Sequence, residues 1–139
     1  MKRVLADAGP LVAILAPEDQ GHELCANMLK DLPGQLFSCW PVVAEAAWLL
    51  RPSPSAVLTL LNSIAKGFLV MLPLEPADAA AIAKILEKYS DLSPQLADAS
   101  LVHLANRESI DTIFTLDRRD FSVYRSARNR RFRLIPDIS

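Results

Sequence analysis

Hydrophobic and polar positions alternate along this chain between two textures. Short apolar-rich runs at Arg3 to Ala6 (RVLA), Gln35 to Cys39 (QLFSC), Phe68 to Leu72 (FLVML) and Thr112 to Leu116 (TIFTL) read as strands, and Phe132 to Ile135 reads as a last one. Longer stretches between them read as helices: Leu11 to Ala16, Gln20 to Leu32, Val42 to Leu50, Ser55 to Ala65, Ala77 to Tyr89, and a helix that Ser93 caps and Pro94 opens. Pro10, Pro41, Pro76 and Pro94 suit first turns, where a missing N–H costs nothing, and Pro33-Gly34 suits a helix stop. Leu24, Met28 and Leu29 are expected to form the core stripe of the second helix, and Ala80, Ile82, Ile85 and Leu86 that of the fifth. PVVAEAAWLL, apolar all round except for Glu45, should be buried on most sides. The continuous run FLVML suits a central strand buried on both faces. Strands alternating with helices predict an α/β fold with a central parallel sheet and right-handed crossovers.

With 139 residues, 51% of them apolar, the chain can bury one substantial core, so residues 1–139 are read as a single domain. The net charge of −1 argues neither for nor against a nucleic-acid partner, but seven of the fifteen Lys and Arg residues fall in the last 22 positions. Arg118, Arg119 and Arg125 in that segment are candidate phosphate contacts. Cys25 and Cys39 lack metal-type spacing and read as reduced thiols. The start of the chain has two basic residues before an apolar run, as a secretory leader does, but Asp7 and Pro10 interrupt it. The expectation is a cytoplasmic protein without a membrane span.

Most of the sixteen acids lie in turns or on polar helix faces, and four do not. Asp7 and Asp117 end predicted strands, at the edge where open α/β sheets place their ligands. Glu45 and Asp98 each sit four residues after a proline, about one turn inside an apolar helix. Plainer readings exist for each: a turn or capping acid for Asp7, a turn acid paired with Arg118 or Arg119 for Asp117, and a buried ion pair for Glu45, with Arg51 as the candidate partner. Together, however, four clustered carboxylates would repel one another unless a cation joined them. All-oxygen ligation selects Mg²⁺ or Mn²⁺, and such ions polarise phosphoryl oxygen, so phosphodiester hydrolysis is the chemistry that follows. Asp91 and Asp120 are candidate outer acids, and His103, just past Asp98 on the same helix, could line the edge of the site. No G-x-S-x-G elbow, Gly-rich phosphate loop or H-E-x-x-H pattern is present.

The stretches LADAGPLVAIL, PVVAEAAWLL, LADASLVHLA and IFTLDRRDF, in that order, make the chain resemble the PIN-domain proteins of the VapC toxin type from end to end. The resemblance implies a three-layer α/β/α fold and Mg²⁺- or Mn²⁺-dependent endoribonuclease activity, with RNA as substrate. It implies Asp7 and Asp98 as the main metal ligands, with Glu45 and Asp117 completing a catalytic quartet; Asp117 is counted among the ligands too. It also implies a homodimer and a cognate antitoxin that inserts a segment into the acidic groove. Two departures stand out: Ala8 replaces the usual Thr or Ser after the first Asp, and either Asp117 or Asp120 could be the fourth acid. The alternative from another class is a non-catalytic module that binds RNA or protein through its basic C-terminal segment.

Overall fold

The computed structural model describes residues 2–32 and 34–137; Pro33, read above as part of a helix stop, lies outside them. Five strands, β1 (Arg3–Ala6), β2 (Gln35–Ser38), β3 (Leu69–Met71), β4 (Thr112–Phe114) and β5 (Arg133–Ile135), form one sheet in the order β3-β2-β1-β4-β5. Every pair is parallel, with Leu5 opposite both Phe37 and Ile113. Among the described residues seven helices, α1 (Ala8–Leu15), α2 (His22–Asp31), α3 (Trp40–Leu49), α4 (Pro54–Ala65), α5 (Ala79–Lys88), α6 (Leu96–Glu108) and the short α7 (Arg118–Phe121), supply the crossovers that parallel pairing demands. The sheet flanked by helices is the expected three-layer α/β/α architecture.

The central strand is β1. Its Val4, Leu5 and Ala6 are fully buried, because β2 and β4 cover both of its edges and helices cover its faces. This corrects the expectation for FLVML: β3 is an edge strand, and Phe68 just before it is 73% exposed. A continuous apolar run cannot distinguish a strand buried on two faces from an edge strand whose side chains await another surface. Gly34 leads into β2 beside β1, where a Cβ would collide with the Lys2 carbonyl.

Several helices are also less buried than their composition suggests. In α2 only Cys25 is buried, whereas Leu24 and Leu29 are exposed; in α5 only Ile82 is fully buried. In α3 the buried side is Val42, Val43 and Ala46, while Trp40 is 56% and Trp48 63% exposed. A helix on the outside of a sheet has one inner face whatever its composition, and here the surplus apolar residues face outward. Helix α6 is the exception, with seven buried residues from Ala97 to Ala105. It begins at Leu96 after Gln95; Ser93 instead closes a preceding 3₁₀ turn in the left-handed region, at φ 48°.

Polar struts hold α6 to its surroundings at the far end from Asp98. His103 Nε2 lies 2.7 Å from Asp78 Oδ1, and Arg107 bonds both Asp78 and Glu108. The Glu75 backbone N–H on the Asp78 carboxylate, with His103 and Arg107 beside it, lowers that carboxyl to about 2. His103 is thus occupied away from the acids it was expected to border. Cys25 and Cys39 are free and buried, and burial pushes both thiols up to about 11.

Candidate active site

The order β3-β2-β1-β4-β5 contains one reversal. From β1 the chain steps outward through β2 to β3, then returns across the sheet to β4 on the other side of β1. The crevice at the carboxyl ends of β1 and β4 is therefore the switch point, where diverging connections leave room for a ligand. Asp7 follows β1 directly, and Asp117 follows β4 after Thr115 and Leu116. Helix α3, leaving β2, brings Glu45 to the same crevice, and the first turn of α6 brings Asp98.

A cavity of about 400 Å³ is lined by Asp7, Glu45, Asp98, Asp117 and Asp120, with Gln95 and Ser93 on its rim. All four carboxylates singled out from the sequence thus converge, and Asp120, one of the two outer candidates, joins them. Asp91 does not line the cavity; it lies exposed in the 3₁₀ turn Ser90–Leu92. The predicted partner of Glu45 is elsewhere, because Arg51 stacks on the Trp48 ring at 3.8 Å and donates to the Trp48 carbonyl. Among the described residues, no ion pair neutralises any of the five acids.

Asp7 is the innermost, only 6% exposed. Its Oδ1 accepts from the Ala8 N–H at 2.8 Å, capping α1, and its Oδ2 accepts from the Thr115 hydroxyl at 2.8 Å. The Thr115 oxygen in turn accepts from the Asp117 N–H at 2.9 Å, so one fully buried hydroxyl fixes both strand-end acids. Asp98 Oδ2 accepts a long 3.4 Å bond from the Gln95 N–H, and Asp117 Oδ1 accepts from the Asp120 N–H at 3.3 Å. Each of these three acids thus gives one contact to a helix start and keeps further oxygen lone pairs for the cavity.

The acids act on one another. Burial raises the Asp7 carboxyl, and the nearby Asp117 adds to the effect, whereas Thr115 and Ala8 oppose it. Burial and Asp7 raise Glu45. Asp98 is pushed up to about 7, first by burial and then by the charges of Asp7, Asp117 and Glu45. Burial and like charge together therefore leave Asp98 partly protonated near neutral pH. Among the described residues, no three His, Cys, Asp or Glu side chains are close enough to hold a metal ion as they stand. The carboxylates line the cavity without meeting at one point, as mutually repelling charges do.

Two residues of this site were missed in the sequence. Thr115 carried a signal, a polar residue at a strand position that turned out fully buried. Tyr124, whose hydroxyl is buried with no partner among the described residues, carried none. Burial and the charges of Asp98, Asp120, Asp117 and Asp7 hold its phenol in the protonated form. The candidate phosphate contacts differ in their partners: Arg118 donates to the Leu134 and Pro136 carbonyls, Arg125 donates to the Ser122, Val123 and Tyr124 carbonyls, and Arg119 is exposed.

The sequence pattern of the PIN domain matches residues 4–126. The chain belongs to the PIN-domain family. This PIN domain is 32% identical over 135 residues to "Ribonuclease VapC26" of Mycobacterium tuberculosis, a match that covers 96% of the chain and all of that relative. Its fold is similar to the crystal structure of M. tuberculosis VapC20, which is described as a Sarcin-Ricin loop cleaving toxin; the TM-score is 0.77 at 12% identity, covering 84% of this chain and 91% of that one. No described helix of the PIN domain is long and apolar enough to cross a membrane.

Two outcomes follow from the site's electrostatics. Thr115→Val should destabilise the protein by about 1–3 kcal/mol near neutral pH, because the buried Asp7 carboxylate loses a donor, while Thr115→Ser should cost little. The Thr115 bond favours the ionised form of Asp7, so the penalty should shrink as pH falls through the Asp7 pKa; equal chemical-denaturation penalties at acid and neutral pH would refute the assigned bond. Asp98 has a raised pKa, so its favourable contribution is complete below its ordinary value of 3.8 and is lost as pH rises through about 7. In chelator-treated protein, Asp98→Asn should therefore flatten the fall in melting temperature between about pH 4 and about pH 7. Parallel wild-type and variant curves by calorimetry would contradict the clustering.

Proposed function

We propose that this PIN domain is a Mg²⁺- or Mn²⁺-dependent endoribonuclease that hydrolyses phosphodiester bonds of RNA, the toxin of a toxin–antitoxin pair acting in the cytoplasm. The observation that carries this reading is the convergence of Asp7, Glu45, Asp98 and Asp117 in one crevice at the switch point of the sheet. The 32% identity to a ribonuclease over nearly the whole chain supports it. The donor set fits a hard divalent cation, since it is all carboxylate and, among the described residues, lacks a paired base, and since burial followed by mutual repulsion raises the Asp98 pKa. Asp7, Asp98 and Asp117 would hold the ion, which when bound would polarise the scissile phosphate.

The remaining roles belong to the protein's own groups. Thr115 favours the ionised form of Asp7 and orients it by donating to Oδ2, and the Asp117 N–H on Thr115 Oγ1 sets where the second acid stands. Glu45, raised by burial and by Asp7, is the acid suited to accept a proton from the attacking water. Asp120, in the same cavity, supports Asp117 and is the alternative fourth acid.

One observation favours a second reading, in which the acids are structural and the domain only binds RNA or protein: Asp7 and Asp117 each cap a helix, and Asp98 bonds the start of α6. Titration with Mn²⁺ separates the two. A ligand bound only to the native state stabilises it by about 2.7 kcal/mol at a hundred times its dissociation constant, so the melting temperature should rise by several degrees. Asp98→Asn should remove most of that rise and slow RNA cleavage by about a hundredfold or more. Undiminished cleavage by the purified variant, or no thermal response to Mn²⁺, would favour the second reading.

A homodimer and an antitoxin partner belong to the same proposal. They are supported by the apolar side chains exposed on α3, α4 and the start of β3, including Trp48, Leu58, Leu61 and Phe68. Light scattering should report twice the mass of one chain; a monomer at working concentration would remove the dimer from the proposal.

A further inference from the structure

The end of the sheet opposite the acids carries a second charged feature. After α7 the chain makes a tight turn in which Arg125 and Arg131 pair as an isolated antiparallel bridge. Ser126 N–H donates to the Arg130 carbonyl at 2.9 Å, Asn129 N–H donates to the Ser126 carbonyl at 2.8 Å, and Asn129 is in the left-handed region at φ 59°. The Ser126 hydroxyl oxygen accepts from the Arg128 and Arg130 N–H groups, and Ala127 N–H donates to Asn106 Oδ1 of α6 at 2.8 Å. The turn is thus shaped by its own backbone bonds and pinned to the C-terminal part of α6.

Its cations are sorted into two kinds. The Arg125 guanidinium folds back on three carbonyls of its own segment. Arg128, Arg130 and Arg131 are exposed, and none of the salt bridges among the described residues involves them. Nearby acids are already engaged: Glu108 pairs with Arg3 and Arg107, and Asp78 with His103 and Arg107. Behind the turn lies a cavity of about 640 Å³, lined by Asn106, Ser109, Asp111 and the three free arginines among others. Only Asp111 opposes their charge there.

We propose that Arg128, Arg130 and Arg131, with this cavity, form an anchoring site for the sugar–phosphate backbone of RNA, remote from the acidic cleft. The inference rests on the nuclease reading for the identity of the polymer. Helix α6 joins the two sites: Asp98 in its first turn lines the acidic cavity, and Asn106, eight residues on, lines the basic one, about 12 Å farther along the helix axis. Five acids repel a polyanion, so a cationic anchor away from them offsets that repulsion and raises local RNA concentration. The only aromatic in the lining, Phe132, is 7% exposed and offers no stacking platform. The contacts are therefore to phosphates, and the site adds affinity without sequence preference.

The test compares R128A/R130A/R131A with K30A/K66A/K84A, which removes the same charge from exposed lysines elsewhere, and with R128K/R130K/R131K, which keeps the charge. Binding of a fluorescent oligouridine is measured on an Asp98→Asn background over a range of salt, with melting temperatures confirming that each variant is folded. Three lost phosphate contacts should weaken binding about tenfold at low salt and reduce the slope of log K against log salt by about 2. The two control variants should keep the parental slope. Unchanged affinity and slope in R128A/R130A/R131A, with RNA cleavage intact in the parent, overturn the anchor and leave the nuclease reading standing. An arginine-dependent slope in a protein that cleaves no RNA supports the anchor and removes the nuclease. Displacement of oligouridine by polyglutamate at equal charge concentration would reassign the turn to an acidic protein partner.

Discussion

The hydroxyl of Thr115 is the contact on which the acidic edge depends. It reaches from the end of β4 to the Asp7 carboxylate at the end of β1 and receives the Asp117 N–H on its other side. A carboxyl as buried as Asp7 needs donors to favour its ionised form, and among the described residues it has two, the Ala8 N–H and Thr115. One is local to the helix start; the other comes from 108 residues away. One of the two donors that favour ionisation of the central acid is therefore tied to correct pairing of the two strands at the switch point.

The rest of the cleft follows from charges placed around that anchored one. Glu45 arrives on α3 and Asp98 on α6, helices that pack on each other, and neither has a basic partner among the described residues. Their pKa values are raised first by burial and then by the neighbouring carboxylates, Asp7 foremost, with no base among the described residues to neutralise them. Strongly perturbed carboxyls gathered in a cleft are what make this crevice the candidate site of the molecule. Of the arginines nearest the acids in sequence, Arg118 and Arg125 are instead bound to backbone carbonyls, and Arg128, Arg130 and Arg131 line the cavity at the opposite end of the sheet.

The alternation of strand and helix textures was legible in the sequence, and so was the convergence of four acids, because parallel α/β topology brings strand ends and helix starts to one edge. Burial was much less legible. FLVML and PVVAEAAWLL are apolar enough for a core interior, yet β3 is an edge strand and α3 exposes both tryptophans. Apolar composition records what a surface meets, including partners outside the chain, and cannot say which surface is the inside. The arginines show the complementary limit. Arg118, Arg125 and Arg128 look alike in sequence, but whether a guanidinium is spent on nearby carbonyls or left for solvent depends on how a turn closes. Thr115 was hidden for the same reason, as its partner lies at the other end of the chain.

The strand order also sets when this cleft can exist. Asp7 and Glu45 belong to the first half of the chain, with β1 and β2 already adjacent, but the walls bearing Asp98 and Asp117 arrive only when Leu5 aligns with Ile113. Closing so long a loop is entropically slow compared with local pairing. Without β4 the chain would hold β1, β2 and β3 but neither Thr115 nor Asp117, so the Asp7 carboxylate would lack its long-range donor and the cleft its fourth acid.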